Sequence, residues 1–365
     1  VKVLHVITGL AAGGAEHQLR LLLRRLPYEC EVVTLSNPGS VARAIRAGGT
    51  VVHELRMTSN RDVTVVARLR HLIRDGRFDL VHTHLYRACV HGRVAAKLAG
   101  VPAVATEHSL GDGILEGRRT SAGVRTLYLA TERLGQATIA VSGPVAARLR
   151  AWGVPENRIS TIPNGIDPIE FRYDPRSRVA TRKRLGIAAG TPVIGGVGRM
   201  AATKHFDDLI WALPGIPEAK LLLVGDGPAT PTLREQAKRL GVADRVVFTG
   251  EAEHPREMYC AMDVFASPSP QETFGMAVLE ALANGLPTVY AACPPLDDVP
   301  DSGARRLTRD PESLPRALRA ELAGVSERTT ARLPVPAVVD HYDITRLAGS
   351  VADLYARITE KGTDR

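Results

Sequence analysis

The sequence predicts an α/β protein built from two doubly wound parallel sheets, and three observations carry that expectation. Short apolar strands alternate with amphipathic segments through the first half, the pattern of a parallel sheet with helices on both faces. A charged, proline-containing stretch, Asp167 to Arg184, interrupts the alternation and reads as a linker; the alternation then restarts at Val193. At 365 residues the chain is long enough for two domains with a core each. We expect the first to span 1–166 and the second 167–344.

In the first half, strands are expected at Lys2–Ile7, Glu31–Leu35, Thr50–Leu55, Leu80–His82, Ala103–Thr106, Ala137–Val141 and Ile159–Ile162, with helical segments such as His17–Leu26 and Val63–Ile73 between them. Ligands of such sheets sit at the carboxyl ends of the strands, so function is sought in the residues just beyond each strand. After the first strand, Gly13-Gly14 leads into a helix. This is no Gly-x-Gly-x-x-Gly dinucleotide site; Gly14 either brings backbone close to a phosphate or sugar or makes a plain tight turn. His82 and His84 share one face of a strand, and His108 lies just past the next strand, in Thr106-Glu107-His108-Ser109. Zinc ligation is one reading of the three, although no strand-end carboxylate completes a familiar ligand spacing. A buried core histidine is the other reading for His108. Asn164-Gly165 is a turn signal that needs no ligand.

In the second half, the strand from Val193 runs into Gly198-Arg199-Met200-Ala201-Ala202-Thr203-Lys204, Leu221–Val224 into Gly225-Asp226-Gly227-Pro228, and Arg245–Thr249 into Gly250-Glu251. Arg199 and Lys204 serve a phosphate or are surface cations; Gly225 admits a flat base or simply turns the chain. The most informative stretch is Met262 to Val289, which reads as strand (Val264–Ser267), proline-rich turn, helix and strand. Met276, Leu279 and Ala283 fall at helical spacing, and Gly285 and Pro287 stop the helix. The helix should start near Phe274 or Gly275, with Glu272 just outside its first turn and Glu280 about two turns in. A helix N-terminus with glycine in its first turn suits an anion. Two flanking carboxylates suit a ligand with phosphates in its middle and hydroxyls at both ends, the layout of a sugar nucleotide.

Glu272 and Glu280, set in Ser-Pro-Ser-Pro-Gln-Glu-Thr-Phe-Gly with seven residues between them, resemble the Glu-x7-Glu signature of the retaining glycosyltransferases of family four. The resemblance implies the GT-B fold, two Rossmann-like domains facing each other across a cleft, with a C-terminal helix at about 345–365 packing back on the first. It implies that Glu280 holds the ribose hydroxyls, that Glu272 contacts the donor sugar, and that the backbone of Phe274, Gly275 and Met276 meets the diphosphate or sugar. Gly198-Arg199 with Lys204 resembles the family's Gly-Arg-(Leu)-x-x-x-Lys-Gly, which makes Arg199 and Lys204 the cations on the diphosphate. Gly14 resembles the glycine of the family's Gly-Gly-(Ala)-Glu loop, whose amide meets the donor. Gly225 resembles the base pocket, and His108 the histidine beside the anomeric centre and the acceptor hydroxyl. Two departures stand out. His205 occupies the place of a usual glycine, so a less tightly turned loop is expected, and Cys293–Asp298 replaces a Gly-Gly-x-x-Glu loop.

The expected activity is retaining, metal-independent transfer of a hexosyl group from a nucleotide diphosphate sugar to an acceptor hydroxyl. Uridine is favoured as the base because it is common in the family. The acceptor is a sugar, a lipid-linked sugar or a secondary metabolite. Breaking a glycosyl–phosphate bond loads negative charge on the leaving group, which needs a metal or fixed cations. The chain has no Asp-x-Asp motif, so Arg199 and Lys204 take that part and no metal or cofactor is expected; the resemblance adds His108 and Glu272 to the catalytic set. Alternatives are another GT-B enzyme such as a sugar-nucleotide epimerase, or a non-catalytic sugar-nucleotide sensor.

Composition narrows the setting. A chain 44% hydrophobic and 24% charged is globular, with no apolar run long enough to span a bilayer. The four cysteines are scattered and the sequence opens directly on a strand, from which a reducing, cytoplasmic setting without a leader is expected. Residues 1–165 carry 22 Lys+Arg against 12 Asp+Glu, a surplus of +10 in a chain of net +8. Arg68, Arg70, Arg74, Arg77, Arg118, Arg119, Arg125 and Arg133 supply much of it. That surplus either attracts an anionic membrane face or a phosphate-linked acceptor, or reflects an arginine-rich composition. Nucleic acid is not an expected partner, with aromatics at 4% and no binding motif.

Overall fold

Seven parallel strands form the first sheet: β1 (Lys2–Ile7), β2 (Glu29–Thr34), β3 (Val52–Glu54), β4 (Leu80–His84), β5 (Ala103–Glu107), β8 (Ala137–Ala140) and β9 (Ile159–Thr161), in the order β3-β2-β1-β4-β5-β8-β9. A short antiparallel hairpin, β6 (Ile114–Leu115) with β7 (Arg118–Arg119), lies outside it. The computed structural model describes all residues except 12, 60–61, 109–113, 116–117, 298, 300, 328–331 and 364–365. Ser109, Asp298 and the side chains of Arg118 and Arg119 lie outside the described residues.

The helices of this unit are α1 (Gly14–Leu23), α2 (Gly39–Ala47), α3 (Thr64–Asp75), α4 (Tyr86–Ala99), α5 (Ala122–Glu132) and α6 (Gly143–Trp152), joined by the C-terminal helix Ile344–Thr363. By its contacts the chain divides into Val1–Gly165 with Ile344–Arg365, and Ile166–Asp343. Strand alternation decides what each face of the first sheet buries. Val3, Leu80, Val104 and Ile139 pack against Leu22 of α1 and Ala348, Val351, Leu354 and Tyr355 of the C-terminal helix. Leu4, Val6, Val33 and Val81 pack the opposite face against Val65, Leu69 and Ile73 of α3 and Ala88 and Ala95 of α4. Each valine, leucine or isoleucine among them contributes about 1.5–3 kcal/mol on burial. The strand order reverses between β1 and β4, where the register sets His5 against His82 and Ile7 against His84.

The second unit has six parallel strands, β10 (Val193–Val197), β11 (Lys220–Val224), β12 (Val246–Phe248), β13 (Val264–Ser267), β14 (Thr288–Tyr290) and β15 (Ala304–Arg306), in the order β12-β11-β10-β13-β14-β15. Its helices are α7 (Pro175–Arg184), α8 (Phe206–Ala212), α9 (Thr230–Arg239), α10 (Pro255–Ala261), α11 (Met276–Ala283), α12 (Ser313–Glu327) and α13 (Val338–His341). The order reverses between β10 and β13, and it is at such a reversal, outside the strands' carboxyl ends, that ligands of doubly wound sheets bind. Among the described residues no helix is long and apolar enough to cross a membrane.

Two sequence expectations are corrected by the structure. The segment read as a linker carries α7, capped by the Asp174 carboxylate, which accepts from the Arg176 amide 2.9 Å away, with Pro175 in the first turn. Its inward residues are Thr181 and Arg182, with Arg178 part-buried beside them, which is why no apolar stripe reveals it. Arg178 and Arg182 each donate to an Asp263 carboxylate oxygen at 2.6 Å, and Asp263 also accepts from the Val193 amide at 2.8 Å. The second correction concerns α11: it starts at Met276, so Glu280 is its fifth residue, about 6 Å along the axis rather than two turns in.

Candidate functional site

In the second unit the site is built where the strand order reverses. The loop after β10 is laced to its neighbours by backbone: Gly198 N–H donates to Val224 O (3.0 Å), Met200 N–H to Asp226 O (3.0 Å) and Gly225 N–H to Gly250 O (2.9 Å). Gly225 sits at φ +125°, and a Cβ there would fall 2.1 Å from the Gly198 carbonyl oxygen. Its glycine is required by this loop-to-loop approach, before any ligand is considered. Arg199 is exposed and makes no side-chain hydrogen bond or ion pair among the described residues. Lys204 closes a single 3-10 turn, and the next residue, His205, adopts φ +53°, ψ +35°. The looser loop expected from a histidine in the place of glycine is therefore not found. The left-handed turn is kept, in a region that histidine enters more readily than most residues.

The loop after β13 faces this one. The Ser269 hydroxyl lies 3.0 Å from the Thr203 carbonyl oxygen and 2.9 Å from that of Gln271, tying the two loops together. Three residues on, Glu272 Oε1 accepts from Lys204 Nζ at 2.6 Å, with both side chains largely covered. The structure thus joins the expected phosphate cation and the expected sugar carboxylate as an ion pair. Phe274 turns inward, 3% exposed, and meets the Tyr342 ring edge-on at 5.4 Å; only its backbone is left for a ligand. Gly275 caps α11 at φ +96°, and a Cβ on it would lie 2.7 Å from Cys293 Sγ. Met276, half-buried, opens the helix.

Cys293 belongs to the loop that departs from the family pattern. Its buried Sγ lies 3.6 Å from the Phe274 carbonyl oxygen and 3.9 Å from that of Gly275, and burial pushes the thiol well above its ordinary range. The thiol packs beneath the helix start and holds it from below. Glu280 Oε2 accepts from the Tyr259 hydroxyl at 2.7 Å, a group also 3.3 Å from the Ala277 carbonyl oxygen. Burial, then the Glu280 charge, drive the Tyr259 hydroxyl far above its usual pKa, so it stays a proton donor. Sequence reasoning missed Tyr259. It lies 21 residues from Glu280 on another helix, and no spacing rule links them.

In the first unit Gly14 begins α1, after an extended Gly13 whose carbonyl accepts from the His17 amide at 3.0 Å. His108 comes directly after β5 and is 7% exposed. Its Nε2 lies 3.2 Å from His84 Nδ1, and His84 Nε2 lies 3.1 Å from His5 Nδ1. His82 is held by the Tyr355 hydroxyl at Nδ1 and by Thr106 Oγ1 (2.6 Å) at Nε2. Burial keeps these rings neutral, taking His5 down to about 3 and His108 to about 4, with His82 and His84 also well below the usual value. Ligand atoms of His5, His82 and His84 lie within 4.8 Å of one another, but every ring nitrogen of His82 and His84 is already engaged, and a metal would have to displace those bonds. A cavity of about 20 Å³ touches Gln18, His84, Thr106, His108 and Asn164; that volume admits a water, not a sugar. Asn164 is buried, and the next amide, Gly165 N–H, donates to Gln18 Oε1 at 3.0 Å.

Comparison with known proteins decides the family. Residues 12–170 match the model of Glycosyltransferase Family 4, and residues 191–325 match that of Glycosyl transferases group 1. The D-inositol 3-phosphate glycosyltransferase of Xylanimonas cellulosilytica is 31% identical over 313 residues, covering 79% of this chain and 74% of its own. The chain belongs to glycosyltransferase family 4. The 2-deoxystreptamine N-acetyl-D-glucosaminyltransferase of Streptomyces fradiae is 29% identical over 327 residues, 79% of this chain and 76% of its own. Among solved structures, Anabaena HepE in complex with UDP and glucose superimposes with a TM-score of 0.84 at 23% identity, over 98% of this chain and 99% of that one. The fold of this family 4 member is GT-B, two parallel-sheet α/β domains, and the protein is a glycosyltransferase.

Proposed function

We propose that this family 4 enzyme transfers a hexosyl group from a UDP-sugar to an acceptor hydroxyl with retention of configuration and without a metal ion. The observation that carries the reading is the Lys204–Glu272 pair at the strand-order reversal of the second sheet, beside a glycine-capped helix that bears Glu280. A cation, a helix N-terminus and two carboxylates supply what a nucleotide diphosphate sugar requires: positive charge for the diphosphate and acceptors for hydroxyls at both ends. We assign the diphosphate to Arg199, Lys204 and the amides at Gly275 and Met276, with Phe274 contributing backbone. The ribose goes to Glu280, the donor sugar to Glu272, and the base to the backbone near Gly225. Gly14 is assigned to the donor through its amide and His108 to the reacting sugar, both by family resemblance.

Catalysis in this reading rests on fixed charge for the leaving diphosphate and on positioning, through an oxocarbenium-like transition state. The departing phosphate oxygen takes the acceptor proton. The UDP of the HepE complex supports uridine as the base. The acceptor is a ring polyol: the two relatives named above act on an inositol phosphate and on 2-deoxystreptamine, both hydroxylated six-membered carbocycles. A sugar of a polysaccharide or glycolipid offers the same equatorial hydroxyls and is the second reading. We place the reaction in the cytoplasm, with the arginine surplus of the first unit available to an anionic membrane face.

The test is incubation of purified protein with a panel of nucleotide sugars, alone and with polyol or sugar acceptors, and then NMR of the anomeric proton in the product. Transfer, or slow donor hydrolysis, with retained configuration supports the proposal. An inverted product overturns the retaining mechanism, and tight donor binding without any turnover supports the sensor alternative.

A further inference from the structure

A glutamate has several rotatable side-chain bonds, so α11 fixes the start of Glu280 and leaves its carboxylate to be aimed by contacts. One such contact comes from the neighbouring helix. Tyr259 of α10 is wholly buried, and its hydroxyl donates to Glu280 Oε2 at 2.7 Å. The Ala277 carbonyl oxygen is a second acceptor, 3.3 Å away. A phenol has one proton, and the shorter contact to a charged oxygen holds it. Burial, then the Glu280 charge, keep that proton in place.

The hydroxyl stands on a rigid mount. Phe171 meets the Tyr259 ring edge-on at 5.7 Å, and Phe265 of β13 packs on it with ring centroids also 5.7 Å apart. Arg332 ties the two helices together at their C-terminal ends. Its Nη2 lies 3.1 Å from the Tyr259 carbonyl oxygen and 3.2 Å from those of Cys260 and Met262. Its Nε donates at 3.0 Å to Oδ1 of Asn284, the residue that caps α11. A cation suits both helix ends, where carbonyls lack helical partners. Asn284 is itself buried and donates its amide to the Phe171 carbonyl oxygen at 2.7 Å. Phe171, Tyr259, Asn284 and Arg332 thus form one closed set of contacts, and the phenol cannot follow the carboxylate if it swings away.

A carboxylate oxygen has two lone-pair sites, so Oε2 can keep the phenol proton and still receive a ribose hydroxyl. A ribose therefore has no need to expel the phenol, which would be left unpaired in the core at a cost in free energy. We infer that Tyr259 is a positioning residue: its hydroxyl holds the Glu280 carboxylate in the setting that accepts the vicinal hydroxyls of a ribose, and keeps that hold with the nucleotide bound. This role rests on the proposed placement of the ribose at Glu280. It adds that the preference for a ribonucleoside diphosphate depends on a residue that touches no ligand.

The experiment compares UDP with 2′,3′-dideoxy-UDP, which lacks both hydroxyls, by competition calorimetry on the wild type, Tyr259→Phe and Glu280→Gln. The wild type should prefer UDP by more than about tenfold, through charge-assisted bonds to the carboxylate. Tyr259→Phe should weaken UDP about fivefold and leave the dideoxy analogue within about twofold, so that the preference shrinks. A merely structural loss would weaken both ligands alike and keep their ratio. That result, or an unchanged UDP affinity in Tyr259→Phe, overturns the inference. A wild type without the preference, or a Glu280→Gln variant that keeps it in full, instead defeats the placement of the ribose at Glu280. Should Tyr259→Phe fail to fold, the Tyr259 hydroxyl proton of the wild type decides, observed by proton NMR with selectively labelled tyrosine and assigned by its shift in Glu280→Gln. A low-field signal that persists when UDP is added supports the inference. Its loss on UDP binding means that the ribose displaces the phenol, and overturns it.

Discussion

Replacing Glu272→Gln separates the two halves of the donor, and the ion pair with Lys204 sets the direction of the effect. The family resemblance puts Glu272 on the donor sugar, from which its loss should leave affinity for a sugar-free nucleoside diphosphate nearly unchanged. The 2.6 Å contact changes that expectation. Lys204 is partly spent on neutralising Glu272, and an incoming diphosphate has to draw it away while facing the carboxylate's negative charge. The two side chains are 30% and 13% exposed, so the pair lies between a surface pair worth about 0.2–1 kcal/mol and a buried one. We take about 1 kcal/mol for its release, which makes UDP bind roughly fivefold tighter to the variant.

Turnover should move the other way. The lost charge-assisted bond to a sugar hydroxyl is worth about 1.5–3 kcal/mol, roughly ten- to a hundredfold in kcat. Titration calorimetry of UDP at two salt concentrations is the assay, because the gain should shrink as screening increases. Weaker UDP binding by Glu272→Gln would refute the reasoning: the carboxylate would then be holding Lys204 in place for the phosphates.

The same geometry yields further outcomes. Glu280→Gln should weaken donor and free UDP alike by about 1.5–3 kcal/mol, and Tyr259→Phe, which frees the oriented carboxylate, by about 1 kcal/mol; calorimetry that shows no change in either variant removes Glu280 from the ribose. Activity should survive exhaustive chelation; loss with EDTA and recovery with manganese would redirect attention to His5, His82 and His84, or to the exposed His205, Asp207 and Asp208. The depressed pKa values of His5, about 3, and His108, about 4, lie below the unfolded value near 6.5. The unfolded chain therefore binds protons first as pH falls, so their contribution is full above about pH 6.5 and drains away between there and about pH 3. Melting temperatures flat across pH 7 to 4 would contradict the buried neutral histidines. Binding to anionic vesicles at low salt, fading as salt rises, is expected if the arginine surplus meets a membrane; equal, negligible binding to neutral and anionic vesicles points to a soluble acceptor.

The sheets were legible because their strands are apolar runs closed by turn signals, and such runs need no knowledge of their neighbours. Lys2–Ile7 and Val264–Ser267 have the limits read from sequence, and the other strands whose bounds were read differ at an end by at most two residues. What escaped was held by polar contacts distant in sequence. The helix Pro175–Arg184 has no apolar stripe because its inward face is polar, with Thr181 beside Arg182 and Arg178, which pair with Asp263. Asp174 and then Pro175, a cap and a first-turn proline, was its available signal. The charged composition of the segment spoke for a linker, and the tertiary ion pairs overrode it.

The same distinction governs the site. A motif reports which side chains reach the crevice, because spacing from a strand end or a helix start is local. It does not report what they hold when the ligand is absent. Lys204 and Glu272 stand on two loops that meet only because β10 and β13 are neighbours in the sheet and the chain leaves them in opposite directions. Glu280 meets Tyr259 only through the packing of α11 on α10. His5 joins His84 through a parallel register that no window of sequence contains. In each case the contact partner is the second protein group that a ligand must replace or exploit. Affinities argued from the motif alone count what a donor gains and omit what Lys204 and Glu272 give up, and for this pair the omission changes the sign of the expected effect on UDP.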